Sequence, residues 1–404
     1  MTVQSLGFFG GGDPLLVTPR TWFVPSFANV AVFETDVGLL LVDAGLRVMG
    51  PAIYAAVRAR TKAPLNAVVF THGHVDHAFG LDAWLAELAP ARPRIVAHRN
   101  VRARFERYAK MAVLNTRINS VQFNLDNLAW PTEFFWPTEV YDDALTLTLG
   151  GEPFELHHAR GESDDATWVW APLRKVLCTG DFWIGCAPNA GNPQKVQRYA
   201  EEWETALRTM AELGAEILLP GHGAPILGAA PIRSALLDAA AYLRSVIATT
   251  IEGLEQGLDH DSIVARVRIP DELASKPYLQ PAYDRPEFIA RNVIRLHGGW
   301  WNGLAADLLP APQAARARAI ADLAGGVAAL VARALATAGD DLPLACHLAS
   351  WAQLAEPSDR SANEAVRDLF TKRADAEPSL MARNIFLDAA KRAAAALASL
   401  SPTP

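Results

Sequence analysis

The stretch His72-Gly73-His74-Val75-Asp76-His77 places three imidazoles and one carboxylate within six residues. Imidazole nitrogens and carboxylate oxygens are the ligands that borderline divalent ions such as zinc take. Alternate side chains, His72 and His74, can point to one ion. Asp76 and His77, half a turn further on, can reach a second. A lone histidine in a globular protein is usually a hydrogen-bonded filler. Buried this tightly without a metal, the four groups would repel one another when charged or leave polar atoms unpaired. Two divalent ions about 3.5–4 Å apart lower the pKa of a shared water to near neutrality. The expected chemistry is hydrolysis, with the shared hydroxide as nucleophile or base, and Asp76 and His77 among the catalytic groups.

The elements around this stretch must hold it at a strand end. Asn66-Ala67-Val68-Val69-Phe70-Thr71 is short, mostly apolar and β-branched, as a buried strand requires. Strand signals begin at Thr21, and Val37-Gly38-Leu39-Leu40-Leu41-Val42-Asp43 reads as a turn and a buried strand. Asp43 is then either an outer partner of a ligating histidine or a turn residue. Residues 47–62 and Gly80 to Leu88 read as helices, the second with Leu81, Trp84, Leu85 and Leu88 on one face. Arg94 to His98 is another strand. Residues 101–140 read as irregular, with an aromatic cluster of Trp130, Phe134, Phe135 and Trp136 that is either a pocket wall or a structural lid. Further strands are expected over 144–149, 154–158, 168–170 and 176–181, and again before His222. This alternation of strands and helices marks an α/β layered half. Strand signals nearly vanish from Ala229. Helices follow over 234–258, 285–296, 312–337 and 379–400. The expected domains are residues 1–230 and 231–404. Residues 1–19 read as an irregular arm, and Ser401 to Pro404 as a frayed tail.

Composition excludes several classes of partner. The chain of 404 residues is long for one core, and its net charge of −7 carries no basic run, which argues against nucleic acid and anionic membrane. The first residues have no basic, apolar leader, and no apolar run approaches the length of a membrane span. Cys178, Cys186 and Cys346 are an odd number without paired spacing, so a disulfide framework is not expected and the cytoplasm is the default compartment. Cys178 and Cys186 flank Asp181; they are read as small buried residues, with ligation as the alternative.

The run from His72 to His77 resembles the His-x-His-x-Asp-His signature of the metallo-β-lactamase-fold hydrolases. The resemblance implies an αββα sandwich holding two metals, followed here by an all-α domain. It also implies ligands from later loops. The position usually taken by a histidine after Pro-Gly reads Arg160-Gly161-Glu162 here, so Glu162 is the expected third ligand of the first ion. His157 and His158 are the rivals, and Asp165 is a further ligand or an outer partner. Asp181 is expected to bridge the ions as a catalytic group, and His222 to complete the second. A glutamate in that loop is similar to the alkylsulfatase, or type III sulfatase, branch. Tyr283 to Gly303 and Leu344 to Ala352 resemble parts of the alkylsulfatase dimerisation domain. The chain departs from that branch in having Asp181 where a glutamate is usual, and in stopping before a third, sterol-carrier-like domain. An iron oxygen-reducing relative is disfavoured because His74 stands where that branch has a glutamate.

The resemblance implies a dinuclear zinc hydrolase of alkyl or aryl sulfate esters that forms a homodimer. Candidate sulfate-binding residues are Asn115, Arg117, Asn119, Lys195 and Arg198, although each taken singly reads more readily as a solvated surface group. Trp136 and Trp183 are candidates to hold the alkyl or aryl tail. Hydrolysis of another ester (lactone, thioester, β-lactam or phosphoester) is the alternative. A protein that binds metal without catalysis is the lesser one. His98, His260, His297 and His347 fall outside the expected ligand set, with His297 read as a helix C-terminal cap or core group and His347 as structural.

Overall fold

A computed structural model of the chain describes residues 12–400. The expected tail at 401–404 and the first part of the expected N-terminal arm lie outside the described residues. The described chain forms two compact units, one of residues 12–115 and 129–299 and the other of residues 116–128 and 300–400.

The first unit is built on two sheets. One has seven strands in chain order: β1 (Leu15–Thr18), β2 (Thr21–Val24), β3 (Val30–Thr35), β4 (Gly38–Val42), β5 (Leu65–Val69), β6 (Arg94–His98) and β7 (Glu139–Tyr141). The first four pair antiparallel, and β4 through β7 run parallel. The other has six: β8 (Ala144–Leu149), β9 (Glu152–His158), β10 (Thr167–Ala171), β11 (Val176–Gly180), β12 (Ile217–Pro220) and β13 (Ile226–Leu227). Only β11 and β12 are parallel in it.

Alternation along single strands shows why four layers form. In β4, Leu40 and Val42 face the second sheet and pack with Phe154, Val169 and Cys178. Leu39 and Leu41 face the other way, onto Ile53 and Val57 of the helix Gly50–Arg58 and onto Trp84. A strand buried on both faces reads as a continuous apolar run, as this one does. In the second sheet Trp168, Trp170, Leu177 and Leu218 face Trp203 and Leu207 of the helix Ala200–Ala211, and Leu236 and Leu243 of the helix Ala229–Glu255. The result is the expected helix–sheet–sheet–helix sandwich. The helix Ala229–Glu255 belongs to this packing, so the compact units divide at 299/300, whereas the proposed domain division at 230/231 follows the switch from strands to helices.

Two expectations change. Residues 100–123 are helical, as Asn100–Lys110 and Ala112–Phe123, and only the stretch from 124 to 138 is irregular. Val101, Phe105 and Tyr108 are buried at helical spacing, but the many arginines around them mask the stripe. The stretch 312–337 is two helices, Gln313–Leu323 and Val327–Thr337, because Gly325 and Gly326 take φ of 92° and 108° and the chain bends by 83° there. These helices pack with Leu342–Ala355, Arg360–Asp375 and Leu380–Leu400 through small residues, among them Ala345, Ala349, Ala362 and Ala393. No single helix among the described residues is long and apolar enough to cross a membrane.

Trp203 is fully buried and its indole N–H donates to the Phe182 carbonyl at 3.0 Å. Trp203→Ala is expected to cost about 3–5 kcal/mol, read as a lower denaturation midpoint in urea.

Candidate metal centre

The site groups follow the ends of β4, β5, β9, β11 and β12. Asp43 comes just after β4, His72 to His77 after β5, Glu162 and Asp165 in the loop after β9, Asp181 after β11 and His222 after β12. Parallel pairing of β4 with β5 and of β11 with β12 puts four of these ends on one rim. Gly221 makes the approach possible: a Cβ there would lie 2.2 Å from Asp181 Oδ1.

Two sets of candidate ligands converge, His72, His74 and Asp181 in one, and Asp76, His77 and His222 in the other. In the first, His72 Nε2 lies 2.8 Å from His74 Nδ1 and 3.7 Å from Asp181 Oδ2. In the second, His222 Nε2 lies 3.4 Å from Asp76 Oδ2, and His77 Nε2 3.6 Å from the same oxygen. Asp181 spans both sets, with its Oδ1 3.2 Å from His77 Nε2 and 3.5 Å from His222 Nε2. Glu162 Oε1 stands 3.8 Å from His74 Nδ1 and is held from behind by Arg198 Nη1 at 2.6 Å and Asn189 Nδ2 at 2.8 Å.

The outer partners fix which nitrogen of each ring faces inward. His77 Nδ1 donates to Asp43 Oδ2 at 2.7 Å, and His222 Nδ1 donates to the Phe27 carbonyl at 2.5 Å. Thr71 donates its hydroxyl to Asp43 Oδ2, so its oxygen accepts from His72 Nδ1 at 3.1 Å. Each of these rings therefore presents Nε2 to the centre, the arrangement that metal-ligating histidines adopt. Asp43 is thus an outer partner rather than only a turn residue. It takes φ of 65°, a left-handed conformation that aspartate tolerates better than most residues.

The electrostatics separate the two sets. Burial, with His77 nearby, lowers His72 to about 4, and burial holds His74 well below its usual range. Burial acts against the charged forms of His77 and His222 too, but facing carboxylates outweigh it, raising His77 well above normal and His222 to about 10. Burial raises Glu162 to about 7 against the pull of Arg198. His77 Nε2 and Asp181 Oδ1 are buried without a hydrogen-bond partner. With Nδ1 donating to Asp43, His77 Nε2 offers a lone pair as Asp181 Oδ1 does, and two such atoms 3.2 Å apart, amid further nitrogens and oxygens, fit a divalent ion.

The remaining candidates are placed as follows. His157 stacks on Trp168 at 4.1 Å, and His158 stacks on His98 at 3.6 Å while donating to the Ala166 carbonyl, so the rivals to Glu162 are engaged along the sheet. Both oxygens of Asp165 are taken up by hydrogen bonds from Gly73, Arg104 and Ser163. Cys178 and Cys186 are buried free thiols whose pKa burial pushes up. Lys195 is half-buried, with Nζ 5.8 Å from the centre of the Trp130 ring, and burial lowers its pKa to about 7. Trp136 is 44% exposed and leans edge-on against Phe105 and Phe134, whereas Trp183 is buried and packs against Tyr278. Asn115 donates to the Met111 carbonyl one turn back in its helix. Arg117, exposed, and Asn119, buried, lie on the part of that helix that belongs to the second unit. Asn189, Arg104 and the Phe27 carbonyl were not foreseen, because each acts across a long sequence separation. Thr71 could have been, since it immediately precedes His72.

Residues 24–222 match the metallo-beta-lactamase superfamily, and residues 259–395 match the family described as alkyl sulfatase dimerisation. The chain is 26% identical over 387 residues to a linear primary-alkylsulfatase of Pseudomonas sp. (strain ATCC 19151), covering 88% of this chain and 72% of that protein. It is 23% identical to an (R)-specific secondary-alkylsulfatase of Pseudomonas sp., covering 90% of this chain and 59% of the relative. The solved structure of a stereoselective inverting sec-alkylsulfatase from Pseudomonas sp. superposes with a TM-score of 0.83 at 21% identity, over 97% of this chain and 66% of that one.

Asp43→Ala would strand the Thr71 N–H, the Thr71 hydroxyl and His77 Nδ1–H, all buried. The expected loss is about 1–3 kcal/mol for each stranded donor, measured by urea unfolding of the metal-free protein.

Proposed function

We propose that this chain, which belongs to the metallo-beta-lactamase superfamily through residues 24–222, is a dinuclear metal-dependent hydrolase of alkyl or aryl sulfate esters. The observation that carries the reading is the joining of a two-set ligand centre to an alkyl sulfatase dimerisation region over residues 259–395. The alkylsulfatase names of the relatives support the same substrate class.

His72, His74 and Glu162 would hold one ion, Asp76, His77 and His222 the other, with Asp181 shared between them. Two divalent ions, zinc in this reading, supply Lewis acidity that activates water at neutral pH and stabilises charge on the ester oxygens. Asp43, Thr71 and the Phe27 carbonyl keep the three Nε2 atoms aimed inward. Arg198 neutralises Glu162 from behind and so offsets the cost of burying that carboxylate. Lys195 is the cation we place at the sulfate oxygens, with Asn115 as a further polar contact. Trp136 offers an exposed aromatic edge to the organic tail. The three free cysteines fit a reducing compartment, and we place the protein in the cytoplasm.

Inorganic sulfate should be released from a medium-chain alkyl sulfate, lost on chelation and restored by zinc. His222→Ala and Glu162→Ala should each lower the rate by at least about 100-fold. Turnover of a lactone, thioester, β-lactam or phosphoester without any sulfate release would overturn the substrate class, and metal binding with no turnover would overturn the hydrolase. A second prediction concerns assembly: the mass in solution at micromolar concentration should be that of a homodimer, measured by light scattering.

A further inference from the structure

Arg104, on the helix Asn100–Lys110, is 3% exposed, and Asp165 is fully buried. Arg104 Nε donates to Asp165 Oδ2 at 2.6 Å, and its Nη2 donates to Asp164 Oδ1 at 2.6 Å. One turn earlier on the same helix, Asn100 Nδ2 donates to the Asp164 carbonyl at 2.8 Å. Asp165 Oδ2 also accepts the Gly73 amide at 3.1 Å, and Oδ1 accepts the Ser163 hydroxyl at 2.5 Å. Gly73 sits between His72 and His74, and Asp165 lies three residues after Glu162. One carboxylate therefore ties the histidine loop to the glutamate loop, and one helix holds that carboxylate. The fit is tight, since a Cβ at Gly73 would lie 2.9 Å from Arg104 Cδ and 3.1 Å from Asp165 Oδ2.

We infer that Arg104 and Asp165 are positioning residues that set the separation between His74 and Glu162, and so the metal affinity of the His72–His74–Glu162 site and not of the other. This rests on the two-ion reading above. A buried ion pair is seldom worth more to stability than apolar packing of the same volume. Its geometric content is what an apolar replacement could not reproduce, because the pair fixes two backbone segments that carry facing ligands. The second ligand set is instead oriented by Asp43, through His77, and by the Phe27 carbonyl, through His222.

The test is zinc binding to the full-length chain in competition with a chromogenic chelator, alongside urea unfolding of the metal-free forms. Wild type, Arg104→Lys, Asp165→Asn, the double variant and Ser163→Ala are compared. Arg104→Lys and Asp165→Asn should each weaken one of the two zinc sites by about 10–100-fold and spare the other. The double variant should lose little more than either alone, because the two residues act as one unit. Ser163→Ala, which removes a single bond, should shift the same site by a few-fold and keeps the test decisive if the other variants do not fold. Unchanged affinity at both sites would overturn the inference. So would equal weakening of both sites in proportion to lost stability, the signature of a merely structural role. Wild-type protein that binds no zinc would instead overturn the two-ion reading, and this inference with it.

Discussion

Four imidazoles and three carboxylates, from His72, His74, His77, His222, Asp76, Glu162 and Asp181, meet in a space almost closed to water. Carboxylates facing one another out of water are costly, and so are imidazolium pairs. The metal-free arrangement compromises by leaving His72 and His74 neutral and driving charge onto His77 and His222. That compromise still leaves His77 Nε2 and Asp181 Oδ1 without partners. A cation shared by these atoms removes the conflict at once, and the surrounding architecture can be understood as what keeps the conflict from relaxing in any other way.

Relaxation is blocked from outside the cluster. Asp43 gathers the Thr71 amide, the Thr71 hydroxyl and His77 Nδ1, so two rings reached through one carboxylate cannot flip independently. His222 is pinned by a backbone carbonyl from the loop at Phe27, and Glu162 by Arg198 and Asn189. These partners come from both sheets and from the loops that join them. The centre therefore exists only when the sandwich is closed, and local order at the six-residue motif would not suffice.

Much of this was readable beforehand, for identifiable reasons. The ligand run and its strand are local, and apolar runs such as Leu39–Val42 record burial on both faces directly in residue type. The Gly-rich loops at Asp181 and His222 marked strand ends. What escaped was encoded by distance rather than by neighbours. Arg104 belongs to a helix hidden under arginines, and its partner lies 61 residues away. Arg198 looked like a surface cation, yet it is buried against Glu162. Trp183 looked like a pocket wall and is packed in the core. Single polar or aromatic residues take their meaning from what folds over them, and no periodicity reveals that.

The division of the chain into units has a consequence for modularity. The second unit is not a simple C-terminal appendage: it includes residues 116–128, which the chain supplies between β6 and β7 of the first sheet. There Asn384 Nδ2 donates to the Gln122 carbonyl at 2.8 Å, and Lys391 Nζ reaches Asn124 Oδ1 at 2.5 Å. The backbone thus passes from one unit to the other three times, so no single cut separates them. Recombination between relatives, or the trimming of a minimal catalytic fragment, would have to move both segments together. Duplication or loss of the helical unit by simple fusion at one junction is closed to a chain threaded this way.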